Sequence, residues 1–78
     1  MFVAIIEDIK ESGLLFKKQE LFVRIGCCDY RTIELDRNLS GNYNIGDTIN
    51  VKTNIPNMYR NDFLNIKPEQ IQEIWIKK

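Results

Sequence analysis

Short apolar runs alternate with clusters of turn residues along the whole chain. In four of these runs apolar and polar side chains alternate, which is typical of a strand with one buried face. The runs are residues 20–26, 30–36, 47–53 and 72–77. The side chains predicted to face the core are Leu21, Val23, Ile25, Ile33, Leu35, Ile49, Val51, Ile74 and Ile76. Phe22 and Trp75 would then lie on the opposite face.

The first apolar run, residues 2–9, fits two periodicities. One set of its residues has helical spacing: Phe2, Ile5, Ile6 and Ile9. Another set fits strand alternation, with Glu7 as the exception: Val3, Ile5 and Ile9. The β-branched side chains favour a strand, and no capping residue precedes the run to start a helix. We therefore predict a strand, with a helix as the alternative.

Turn-forming residues mark the connections between these runs. Residues 27–29 fall where a hairpin turn would join two antiparallel strands. Residues 38–46 hold two glycines, three asparagines and a serine, which predicts a loop. Residues 54–67 show no strand pattern. Pro68 suits the first position of a short helical turn, which residues 69–71 would continue before the last strand.

Five short strands cannot bury both faces of a flat sheet, so we expect them to curl into a partly closed barrel that also protects the strand edges. The predicted fold is mainly β: a small five-stranded antiparallel barrel with a short helical turn before the last strand. The place of that turn favours an SH3-like order of elements. An OB-like barrel is the alternative, although its helix normally lies between the third and fourth strands.

Length and composition indicate one small globular domain over residues 1–78. Hydrophobic residues make up 44% and charged residues 28%, as in ordinary globular domains. Eleven basic and eleven acidic side chains cancel, so no overall field attracts nucleic acid or an anionic membrane. We find no secretion signal and no run of the ~20 apolar residues that a membrane helix requires. The expected location is the cytoplasm.

The absence of histidine argues against an enzyme. Histidine is the usual general base and a common metal ligand near neutral pH. The sequence also lacks a nucleophile elbow, a phosphate-binding glycine loop and a carboxylate cluster of metal-site type. We therefore expect no catalytic residues, no metal and no cofactor.

Cys27 and Cys28 are adjacent, without the spacing of a zinc site. The simpler interpretation is two reduced thiols at a hairpin, one buried and one exposed. A redox or soft-metal sensor is the functional alternative, and it would require lowered thiol pKa values.

Aromatic and basic residues together suggest a surface for nucleic acid, because single-strand binders interleave the two types. The candidates are Phe22, Arg24, Tyr30, Arg31, Tyr43, Lys52, Tyr59, Arg60 and Trp75. Acidic residues on the same strands, Glu20, Glu34 and Glu73, weaken that interpretation. Nucleic-acid binding therefore stands as the alternative function.

The leading hypothesis is a non-catalytic protein-binding module: an inhibitor, an immunity-type factor or an adaptor, including those that mobile genetic elements encode. Tyrosine, tryptophan, methionine and arginine are enriched at the centres of protein interfaces. The predicted binding residues are Tyr43, Met58, Tyr59, Arg60 and Trp75. Three of them lie in the long segment before the last strand, and such loops are uncommon unless they are functional. Oligomeric state is left open by the sequence.

Overall fold

A computed structural model describes residues 1–13, 18–54 and 65–77 of the chain. Its strands are β1 (Phe2–Ser12), β2 (Lys18–Ile25), β3 (Asp29–Leu35), β4 (Thr48–Thr53), β5 (Asn65–Ile66) and β6 (Ile71–Ile76). One 3₁₀ turn, Pro68–Gln70, immediately precedes β6. The strands form one sheet in the order β5-β3-β2-β1-β4-β6. The mainly β class is therefore confirmed, and so is the helical turn before the last strand.

The sheet curls into a half-barrel, as expected for a small β-barrel in outline. The described part of the chain contains six strands, where the sequence predicts five. The added strand is β5, which is only two residues long and pairs with β3 in parallel, at Thr32–Asn65 and Ile33–Ile66. The expectation of a wholly antiparallel sheet is therefore wrong at this edge. A two-residue strand is too short to show any periodicity.

The inner face of the half-barrel holds the hydrophobic core. Its buried apolar residues are Phe2, Ala4, Ile6, Leu21, Val23, Ile33, Leu35, Ile49, Val51, Ile66 and Ile71. The inward side chains predicted for β2, β3 and β4 are among them, except that Ile25 is only partly buried. In β6, Ile74 packs against the core, but Ile76 is 36% exposed. Ile76 is paired with buried Ile49, so it has the inward orientation but lies at the edge of the sheet.

The first run is a strand, so the helical alternative is wrong. Its buried residues are Phe2, Ala4 and Ile6, whereas Val3 and Ile5 belong to the other face. A bulge at Glu7 shifts the pairing with β2, since Ile6 pairs with Val23 but Asp8 pairs with Phe22. The extra residue brings Ile9 to the inner face together with Ile6. This bulge explains why Glu7 breaks the strand alternation and why the same run also fits helical spacing.

Gln19 closes one end of the half-barrel by holding the loop between β3 and β4. It is 1% exposed, although it is a polar residue. Its Nε2 donates to the carbonyl of Gly41 at 2.9 Å and to Oε1 of Glu11 at 2.9 Å. Its Oε1 accepts the N–H of Gly41 at 3.0 Å. Leu39 and Tyr43 of the same loop pack against the core.

The 3₁₀ turn is tied to both neighbouring strands. Its Gln70 side chain accepts the N–H of Lys67 at 2.9 Å, and its Gln70 carbonyl accepts the N–H of Asn54 at 3.0 Å. The side chain of Asn54 also donates to the carbonyl of Glu69 at 3.1 Å. These bonds fix the start of β6 beside the end of β4. No helix in the described ranges has the length and apolar character needed to cross a membrane.

Candidate functional site

The outer face of the sheet carries a band of apolar side chains, which we call the outer apolar patch. It consists of Val3, Ile5, Phe22, Tyr30 and Trp75. Strand pairing places these residues in neighbouring rows across the sheet. One row runs from Val3 through Asn50 to Trp75, and the next runs from Ile5 through Arg24 to Tyr30. Because directly paired residues share a face, the patch extends from β3 to β6.

Much of this patch is open to solvent. Tyr30 is 61% exposed, and Val3 and Trp75 are each 40% exposed. Phe22 is partly buried and, together with Tyr30, lines a shallow pocket of about 250 Å³ that is bounded by Thr32 and Asn65. Exposed apolar side chains concentrated on one face of a small protein are typical of interaction sites. This surface is therefore the best candidate for binding in the described part of the chain.

Arg24 lies at the centre of the patch and is already engaged by the protein. Its Nε donates to Oε1 of Glu7 at 2.7 Å, and its Nη1 donates to the carbonyl of Gly26 at 2.6 Å. The hydrogen bond to Glu7 raises the pKa of Arg24 above its ordinary value. Glu7 is the extra residue of the β1 bulge, so the bulge supplies the carboxylate that neutralises this cation.

A charged row borders the patch towards the other end of the sheet. It crosses the outer face from Lys10 through Glu20 and Glu34 to Lys67. Two like charges, Glu20 and Glu34, are paired directly, which is unfavourable by itself. Lys67 offsets this repulsion with an ion pair to Glu34 at 2.6 Å, and that hydrogen bond raises the pKa of Lys67. The two lysines and two glutamates of this row cancel, so the row has no net charge.

Cys27 and Cys28 lie in the turn between β2 and β3, next to Gly26 at φ +67°. Both thiols are free and exposed, so the expectation that one of them is buried is wrong. A hydrogen bond with Cys27 raises the pKa of Cys28. A redox or metal sensor would need the opposite shift. Within the described ranges, no group of three or more histidine, cysteine, aspartate or glutamate side chains could hold a metal ion.

The hydrogen bond between the two thiols predicts how fast Cys28 is alkylated. Cys27→Ala removes the hydrogen bond that raises the pKa of Cys28, so this pKa should fall towards its ordinary value. Cys28 should then be alkylated faster by iodoacetamide below the thiol pKa, because the thiolate is the reacting form. The measurement is the rate of alkylation against pH for the wild type and for Cys27→Ala. An unchanged pH profile of Cys28 would contradict the shared hydrogen bond.

The structure separates the binding residues that the sequence predicts. Trp75 lies on the outer apolar patch. Tyr43 lies elsewhere: it is partly buried and packs against the core, and burial raises the pKa of its phenol. Met58, Tyr59 and Arg60 lie outside the described residues.

Sequence reasoning missed two residues of the patch, Val3 and Ile5. Their signal was present, since Phe2, Ala4 and Ile6 form an alternating inward set that leaves Val3 and Ile5 outside. That set breaks at Glu7, and the break can be recognised as a bulge only when the pairing with β2 is known.

Comparison with known proteins adds no further assignment. No family model matches the chain, and neither a curated protein nor a solved structure is significantly similar to it.

Proposed function

We propose that this chain is a non-catalytic protein-binding module, of the inhibitor, immunity-type or adaptor kind, and that it binds its partner through the outer apolar patch. The observation that carries the proposal is a band of exposed apolar and aromatic side chains beside charges that are already paired. Tyr30 and Trp75 are exposed on strands of the sheet, and their two side-chain torsions keep the entropy cost of binding low. Such aromatic residues often supply most of the binding energy of an interface.

The charges around the patch favour a protein partner over nucleic acid. Binding to a nucleic-acid backbone requires cationic side chains that can displace the counterions condensed on the phosphates. Here Arg24 is paired with Glu7, and Lys67 is paired with Glu34. Lys52 lies directly opposite Glu73. A nucleic acid would have to compete with these carboxylates for the same cations.

Binding of single-stranded nucleic acid remains the second candidate, because Phe22 and Tyr30 are aromatic residues on one sheet face beside Arg24. Bases stack on aromatic side chains with little sequence preference. Titration of labelled single-stranded DNA and RNA at low and high salt separates the two functions. Binding that weakens steeply with salt would favour this candidate, and no binding at low salt would exclude it.

We also propose that the half-barrel is of the SH3-like type. The support is the order of elements, since a 3₁₀ turn directly precedes the last strand. An OB-like barrel would carry its helix between the third and fourth strands. The described residues between β3 and β4 contain turns and no helix.

The proposed function predicts which substitutions weaken binding of the partner. Tyr30→Ala and Trp75→Ala should each weaken the partner complex by about 2 kcal/mol, or roughly thirtyfold, as expected for central aromatic residues of an interface. The measurement is affinity capture of partners from the native lysate with nuclease, followed by titration of the purified partner.

Ile45→Ala is the matched control, because Ile45 is 63% exposed but does not belong to the patch. It should bind as the wild type does. Retention of the partner by both patch variants, with the fold intact by circular dichroism, would refute the proposed surface. If nuclease treatment prevents capture of the partner, nucleic-acid binding becomes the favoured function.

A further inference from the structure

Strand β6 ends the sheet and presents an edge that nothing in the described ranges pairs with. The exposed apolar side chains at this end of the molecule include Trp75 and Ile76, at 40% and 36%. Sheet edges of this kind are templates for pairing with another strand. Natural proteins commonly protect them with proline, charge or a covering segment, yet residues 74–76 read Ile-Trp-Ile.

Some backbone N–H and C=O groups of β6 point away from β4 and are open to a further strand. In an antiparallel ladder the N–H and C=O of one residue point to the same side, and successive residues alternate. The N–H of Lys77 bonds to the carbonyl of Thr48 at 2.8 Å, so the backbone of Lys77 faces β4. By alternation Trp75 also faces β4, and Ile74 and Ile76 direct their N–H and C=O groups outward.

The order of side chains in β6 is self-complementary. When Trp75 is placed opposite Trp75 of a second antiparallel copy, Glu73 lies opposite Lys77 of that copy, and the symmetry repeats the pair. In this register Ile74 lies opposite Ile76, and both have outward backbone groups that can exchange two hydrogen bonds. Twofold symmetry then gives four backbone hydrogen bonds and two opposite-charge pairs.

Other registers of the two β6 strands do not give these opposite-charge pairs. The outward backbone groups of the two strands stay opposite each other only when the second copy is shifted by an even number of residues. One such shift places Glu73 opposite Trp75, without an opposite-charge pair. The next places Glu73 opposite Glu73, where like charges repel. Charge complementarity therefore selects the register centred on Trp75.

We infer that the chain self-associates through β6, as a twofold dimer in which two half-barrels form one continuous antiparallel sheet. Trp75 of one copy lies opposite Trp75 of the other at a position without backbone hydrogen bonds. Side chains approach each other most closely at such positions. The outer apolar rows of the two copies then join, from Val3 of one chain to Val3 of the other. A single pair of strands buries less area than a standard interface, so dimerisation should depend on concentration.

This inference does not rest on the proposed function, although Trp75 belongs to both surfaces. The backbone edge and the charges of β6 carry it, whereas the partner surface extends to Tyr30 on β3. Tyr30→Ala should therefore weaken binding of the partner and leave the dimer unchanged.

A charge-exchange experiment tests the register. Lys77→Glu and Glu73→Lys should each weaken the homodimer about tenfold, because both charge pairs become repulsive. An equimolar mixture of the two variants should dimerise about as well as the wild type, since every pair is then opposite in charge. The measurement is sedimentation velocity over a hundredfold range of protein concentration. Thermal unfolding checks each variant, because Glu73 also lies opposite Lys52.

Ile76→Pro tests the edge by a second route. Proline removes only an N–H that points away from β4, so the chain should fold while dimerisation is lost. Ile76→Ala is the matched control: it retains the N–H and should keep most of the self-association. A wild type that stays monomeric at every concentration would overturn the inference. So would single charge variants that dimerise normally, or an Ile76→Pro protein that folds and still dimerises.

Discussion

Substitution of Gln19 by leucine is expected to lower the free energy of unfolding by about 1–3 kcal/mol. The buried Gln19 amide supplies both a donor and an acceptor to the backbone of Gly41, at 2.9 and 3.0 Å. Leucine fills similar space but leaves the N–H and the carbonyl of Gly41 without these partners. A buried polar group that loses its hydrogen bond costs about 1–3 kcal/mol. The measurement is urea unfolding of the wild type and the variant.

The effect is large relative to the expected stability of the chain. A domain of 78 residues is stable by roughly 4–12 kcal/mol at the usual value per residue. Gln72→Leu provides the matched control, because Gln72 is exposed on β6 and the same change there should alter stability by less than about 0.5 kcal/mol. If Gln19→Leu is as stable as the control, the loop is not held by this side chain.

Ile66→Ala is expected to lower the free energy of unfolding by about 2–5 kcal/mol, the range for truncating a buried isoleucine to alanine. Ile66 is fully buried and lies beside fully buried Ile33 in the parallel pair of β5 with β3. A cavity at this position opens the core where the strand pairing is shortest. For a domain of this size the midpoint of thermal unfolding should fall by about 4–8 °C per kcal/mol.

Asn65→Ala is the control for Ile66, since Asn65 is the other residue of β5 and is exposed. It should change stability by less than about 0.5 kcal/mol. A comparable loss of stability in both variants would contradict burial of Ile66 as the feature that stabilises this edge. No loss in either variant would contradict the place of Ile66 in the core.

The candidate site was only partly predictable from the sequence. Tryptophan is enriched at interfaces, and the alternation of β6 places Trp75 on the face opposite the core. Alternation likewise places Phe22 on that face, and the structure places both on the outer apolar patch. Tyr43 was chosen for its residue type, but its environment is set by contacts with the core across the end of the half-barrel. Local patterns cannot reveal such long-range packing.

The charged residues also were only partly predictable from the sequence. The sequence gives a net charge of zero, but it does not say which cations are neutralised. Glu7 and Arg24 are seventeen positions apart, and Glu34 and Lys67 are thirty-three positions apart. Only strand pairing brings each pair within hydrogen-bonding distance. The preference for a protein partner over nucleic acid draws on these two ion pairs and on the position of Lys52 opposite Glu73.

Alternation of apolar and polar residues was enough to determine the mainly β class, the strands β2, β3 and β4, and most of the side chains that face the core. It suffices there because a strand with one buried face imposes its period of two on the sequence directly. The tertiary structure decided the bulge at Glu7, the burial of Gln19 and the parallel strand β5. Each of these depends on a partner distant in the sequence, whose position is fixed only when the sheet has formed.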